Sequence, residues 1–212
     1  MSRKAGYHPK TRNKFQRKRK IIIILATEGK NRTETQYFKS IPSSNYVIKF
    51  APGNYTDPVN MVLALSQEYE EMELDTELGD SAFCLVDSDV DPVKNRQLEK
   101  ADVKAANRIH VLVSSPCFEV WYLCHFTAST HQYASNNDVL KALKQYIPEY
   151  RKEMPGIWEI IGDKTETAIQ NAKYLEQQCL EKGLKQHKVE FMPSTEVYKI
   201  MEILIGEAAS GL

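Results

Sequence analysis

Lys20-Ile-Ile-Ile-Ile-Leu-Ala-Thr27 carries six consecutive apolar residues, four of them β-branched, and no polar side. A surface helix needs a polar face and a half-exposed strand needs alternation. The stretch therefore predicts a strand buried on both sides, the kind found centrally in parallel sheets. Ser81-Ala-Phe-Cys-Leu-Val86 reads the same way, and Asn45 to Ala51 and Arg108 to Val113 are further strands. Between them lie helical stretches at 31–41, from Asp57-Pro58 to about Met72, and at 94–106. Asp57 supplies an N-cap and Pro58 the first helical position. Ser115-Pro116 reads as another helix start, running to about Phe126. Strands alternating with helices predict an α/β fold with a mainly parallel sheet flanked by helices.

After residue 127 the alternation stops. Residues 137–146, 165–182 and 194–206 read as helices, broken by Pro148, Pro155-Gly156 and Gly183. In the last of these, Ser194 or Thr195 is expected to be the N-cap. The expected organisation is a basic flexible arm (1–19), an α/β core (20–126) and a helical C-terminal part packed on it (127–212).

Of 212 residues, 42% are hydrophobic and 26% charged, too apolar for a disordered chain. The longest apolar run, Ile21 to Ala26, falls far short of the ~20 residues that a bilayer span requires. Glu28 closes that run too early for a secretory signal. Cys84, Cys117, Cys124 and Cys179 lie in apolar segments without a CxxC pair, which argues against a disulfide frame and against zinc. These features predict a cytoplasmic protein with no membrane association.

The formal net charge of zero conceals an asymmetry. Residues 1–20 hold nine basic side chains, among them Arg17, Lys18, Arg19 and Lys20, and no acid. The remaining chain carries 19 basic against 28 acidic groups. Such a segment, with Tyr7, His8 and Phe15 interleaved, suits contact with nucleic acid; a solubilising tail or a clamp on an acidic surface is the competing reading.

Ligands in open α/β sheets bind beyond the carboxyl ends of the strands. Two strands here end in acids: the first delivers Glu28-Gly29, the second Asp87-Ser88-Asp89-Val90-Asp91-Pro92. Parallel strands would bring both ends to one edge. Carboxylates gathered there repel one another unless a cation neutralises them, and hard oxygen ligands favour Mg²⁺ or Mn²⁺. Such ions support phosphoryl transfer. Gly29 would let the backbone approach a phosphate, and Lys30 or Arg32 would pair with it, although a surface role suits each equally.

An EF-hand reading of the acidic run fails, because Pro92 stands where the loop needs glycine. A haloacid-dehalogenase phosphatase would place this strand first in its core domain, and here two strands precede it. Glu119, after Pro116, is open between a further metal ligand and a charge that complements the helix dipole. Phe118, Trp121, Tyr122 and His125 recur at three- and four-residue spacing, as on a packed helix face. His125 has the alternative of reaching a scissile phosphate.

Glu-Gly after the first strand and Asp-x-Asp after a later one resemble the Toprim catalytic domain. More specifically, the chain resembles the RloB family of AbiLii-like abortive-infection proteins. The matching stretches are Ile24–Gly29 with Thr33, Glu34, Tyr37 and Phe38; Val86–Asp91; Ser115–Trp121 with His125 and Phe126; and Pro193–Thr195. The resemblance implies a Toprim-like fold and a metal-dependent nuclease encoded beside a large ATPase of the AAA or ABC type in a phage-defence operon. It implies Glu28 as general acid/base, Asp87 and Asp89 as metal ligands and Asp91 as a ligand of a second ion. DNA and RNA, tRNA included, are open as substrates, and a homo-oligomer is compatible with the sequence. The alternative is a non-catalytic, nucleic-acid-binding adaptor subunit of that ATPase.

Overall fold

A computed structural model describes residues 19–28, 33–43, 45–105 and 108–209. Gly29, Lys30, Arg32, Arg17 and Lys18, and with them nearly all of the expected basic arm, lie outside the described residues.

The quoted stretch is strand β1 (Ile21–Thr27), followed by α1 (Thr33–Ser40), β2 (Tyr46–Phe50) and α2 (Pro58–Glu71). Next come β3 (Ser81–Asp87), α3 (Pro92–Ala105), β4 (Ile109–Ser115) and α4 (Glu119–Cys124). The C-terminal half holds α5 (Asn136–Leu143), α6 (Ile157–Ile161), α7 (Thr165–Glu181), β5 (Ser194–Thr195) and α8 (Tyr198–Ala209). The sheet order is β2-β1-β3-β4-β5. The first four strands run parallel and β5 alone is antiparallel. The α/β expectation with a mainly parallel sheet is met.

Alternate strand residues face opposite layers, as the two-residue period of a strand requires. Ile23, Leu25, Phe83, Leu85 and Leu112 point into one core with α1, α4 and the C-terminal helices. Ile24, Ala26, Ala82, Cys84, Val86, Val111 and Val113 point into the other, under Met61, Val62 and Leu65 of α2 and Leu98 and Ala101 of α3. Both faces of β1 and β3 are thus covered, which is why those strands read as unbroken apolar runs. Each fully buried aliphatic side chain there contributes about 1.5–3 kcal/mol.

Asp57 caps α2 as expected, accepting from the backbone N–H groups of Val59 (2.9 Å) and Asn60 (3.1 Å). Two other helix starts are corrected. Ser115 and Pro116 do not open a helix: Ser115 is the last residue of β4 and pairs with Ser194, and α4 begins at Glu119. Ser194 and Thr195 are not an N-cap but β5, with Ser114 and Thr195 joined hydroxyl to hydroxyl at 2.9 Å. α8 starts only at Tyr198. In both places a capping residue type is taken up by sheet pairing with a segment some 80 residues distant.

Candidate functional site

Register decides where the acids meet. Thr27 of β1 lies beside Leu85 of β3, so Glu28, one residue past β1, and Asp87, the last residue of β3, share the same sheet edge. β3 and β4 end together, with Asp87 beside Ser114. The loop after β3 is anchored to that neighbour: Ser88 N–H donates to Ser114 O (3.0 Å), Asp89 N–H to Pro116 O (2.9 Å), and the Ser88 and Ser115 hydroxyls meet at 2.8 Å. Asp89 and Val90 both take left-handed backbone, φ 53° and 55°. Asp tolerates that conformation, but a β-branched valine there costs on the order of 1–3 kcal/mol. The tight turn aims Asp89 back at the edge.

Five carboxyl groups collect at this end of the sheet. Burial pushes Asp87 well above the ordinary carboxylate range, and the negative charges of Glu34, Glu119, Asp89 and Glu28 add to the effect. Glu28 is raised by burial, against the opposing ammonium of Lys94. Burial pushes Glu34 up to about 7, with Glu119 and Glu28 adding and Lys152 opposing. Glu34 is 6% exposed, and its Oε2 is buried with no hydrogen-bond partner among the described residues. Glu119, 2% exposed, accepts from the Tyr150 hydroxyl (3.1 Å) with Lys152 Nζ at 4.0 Å.

Two ammonium groups answer these acids among the described residues. Lys94 of α3 bonds Glu28 Oε1 and lies 3.5 Å from Asp89 Oδ2. Asp89 Oδ1 accepts from the Asn136 amide at the start of α5 (2.8 Å). Asp91 faces its own helix: Oδ1 accepts from Val93 N–H (2.9 Å) and its carbonyl accepts from Lys94 N–H (2.9 Å), which makes it the N-cap of α3. Arg19 makes a bidentate pair with buried Asp80, at 2.9 and 2.5 Å, at the opposite end of β1. Lys20 is exposed there.

The structure thus brings Glu28, Asp87, Asp89 and Glu119 together, assigns Asp91 Oδ1 to a cap, and commits Arg19 to the fold. Sequence reasoning missed Glu34 as a buried acid, because an acid in the first turn of a helix suits the helix dipole and needs no other partner to account for it. It also missed Lys94, Lys152, Tyr150 and Asn136, whose roles come from tertiary contact alone. Only the Thr33-Glu34 resemblance could have flagged Glu34.

A divalent ion suits the chemistry of this donor set: among the described residues five hard oxygen groups face two ammonium groups, and one buried carboxyl oxygen has no partner. As the side chains stand, no three acidic, histidine or cysteine groups among the described residues close on a common point that would hold an ion. The cavities of about 450 and 430 Å³, beside α5 and along β4, are lined by none of the five acids.

The packed helix face is core: Phe118, Trp121 and Tyr122 are buried, and Phe118 and Tyr122 meet Tyr37 edge-on at centroid distances of 5.9 and 5.6 Å. His125 Nδ1 lies 2.9 Å from Trp121 O, and burial lowers its pKa to about 4, so the ring is neutral and donates to that carbonyl.

Fold and edge together define a mainly parallel α/β protein with a partly buried acidic cluster at the carboxyl end of its central strands. The family described as RloB-like protein matches residues 23–204, most of the chain. The chain belongs to that family. No curated protein and no solved structure matches it. No helix among the described residues is long and apolar enough to cross a membrane.

Proposed function

We propose that the chain is a metal-dependent nuclease of the Toprim type, which hydrolyses phosphodiester bonds in DNA or RNA with Mg²⁺ or Mn²⁺. The observation that supports this reading is the meeting of Glu28 and Asp87 on adjacent parallel strands, with Asp89, Glu34 and Glu119 at the same edge. Asp87, Asp89 and Glu28 would hold the ion, with Glu34 or Glu119 completing its shell. When bound, a divalent ion neutralises phosphate charge and activates water.

The chain's own groups do the remaining work. Glu28, its pKa raised by burial, takes as its carboxylate the proton of the water that attacks phosphorus; the leaving sugar oxygen takes its proton from solvent water as its bond to phosphorus breaks. Lys152, exposed and beside Glu119, would face a phosphate oxygen, alongside the expected Lys30 and Arg32. Family membership favours a role as the effector of an abortive-infection system with a partner ATPase in the cytoplasm.

The test is cleavage of DNA, messenger RNA and tRNA with Mg²⁺ or Mn²⁺. Glu28→Gln and Asp87→Asn are each expected to lower the rate by at least about 100-fold. Variants that cut as fast as wild type would remove the site.

A second reading, a non-catalytic nucleic-acid-binding adaptor of the ATPase, is favoured by one observation: Lys94 already closes on Glu28. Copurification with the ATPase and toxicity measurements separate the two readings. An adaptor keeps its toxicity when Glu28, Asp87 and Asp89 are replaced; a nuclease loses it while the complex persists.

A further inference from the structure

Lys94 stands at the third position of α3, after the Asp91 cap, Pro92 and Val93. The amino end of a helix is its positive pole, so a cation in the first turn is disfavoured by the helix that carries it. Nothing in α3 therefore accounts for an ammonium there. Its partners lie outside α3: the head bonds Glu28 Oε1 and stands 3.5 Å from Asp89 Oδ2, and only 10% of the side chain is exposed.

The same two acids are those that the metal-dependent reading needs, and this inference rests on that reading. We infer that Lys94 is a built-in counter-ion of the acidic edge, one that competes with a divalent cation for Glu28 and Asp89 and withdraws when the ion is held. One ammonium on a four-carbon stem suits that duty. It is a single charge on a flexible tether, able to swing to a phosphate or to solvent without moving α3. Glu119 differs, since the Tyr150 hydroxyl also holds it. Without Lys94, Glu28 and Asp89 would face Asp87 with no positive charge in contact among the described residues. The metal-free protein is then destabilised and a cation becomes more welcome, the reciprocal behaviour of two ligands at one site.

Mn²⁺ binding followed by electron paramagnetic resonance, with thermal unfolding in chelator and in Mn²⁺, tests this on the full chain. Lys94→Met is expected to bind Mn²⁺ about tenfold more tightly than wild type or better. Its unfolding temperature is expected to fall in chelator and to recover with Mn²⁺ by more than wild type gains. Lys94→Arg, which keeps the charge, should show no gain in affinity. Lys94→Gln, with a polar head, is read in the same way as Lys94→Met should the latter fold poorly. Equal or weaker Mn²⁺ binding by Lys94→Met and Lys94→Gln would overturn the competition while leaving the metal-dependent reading intact. Absence of Mn²⁺ binding in wild type and variants alike would sink both.

Discussion

At the scale of single residues, Glu34 is the most informative side chain. A carboxyl that holds its proton more tightly when folded costs stability as pH rises from its unfolded value, near 4.5, through about 7. Glu34→Gln removes that cost along with the repulsion from Glu119 and Glu28. At about pH 8 the unfolding temperature of Glu34→Gln is expected to rise by roughly 2–4 °C, as about 1 kcal/mol gives in a domain of this size, while cleavage falls. A fall in unfolding temperature on calorimetry would show that Glu34 is a satisfied structural acid. Glu28, Asp87 and Asp89 were legible in the sequence because strand ends announce them. Glu34, Lys94 and Lys152 were not, because an acid or lysine on a helix looks solvated until its neighbours in space are known.

At the scale of elements, the start of α3 carries a separate expectation. Asp91 Oδ1 accepts from Val93 N–H, and asparagine caps as well as aspartate does. Asp91→Asn is therefore expected to keep both stability and Mn²⁺ affinity, whereas Asp91→Ala loses about 1 kcal/mol on denaturant unfolding. Loss of Mn²⁺ affinity in Asp91→Asn with unchanged stability would make Asp91 a ligand after all. β1 and β3 were readable because burial on both faces leaves a continuous apolar run. β5 was not: two residues, Ser194 and Thr195, show no periodicity, and their pairing is set by Ser114 and Ser115. The misplaced start at Ser115-Pro116 has the same cause.

At the scale of the whole molecule, His187 ties distant parts together. Its Nδ1 lies 2.8 Å from Asp102 Oδ2 on α3, and its Nε2 2.8 Å from Glu196 Oε2 beside β5. Both ring nitrogens must donate to serve two carboxylates, so the bridge requires the imidazolium. Burial opposes that charge, but the bonds to Asp102 and Glu196 outweigh it and hold the pKa up to about 9. A histidine raised on folding adds stability that is fully present below about 6.5 and lost as pH climbs through about 9. Wild type is expected to lose roughly 2–3 kcal/mol of unfolding free energy over that window, and His187→Gln to show a flatter profile. Identical pH profiles would mean that the bridge contributes nothing. Residues 102, 187 and 196 lie too far apart in the chain for any sequence pattern to have joined them.

Cys84, Cys117, Cys124 and Cys179 are all free and all buried. Burial also raises the pKa of each thiol, which starves it of the reactive thiolate. The native chain should thus be silent toward Ellman's reagent and should release four equivalents of colour once denatured. The protein carries its own reporter of opening, and it can be purified in air without added reductant.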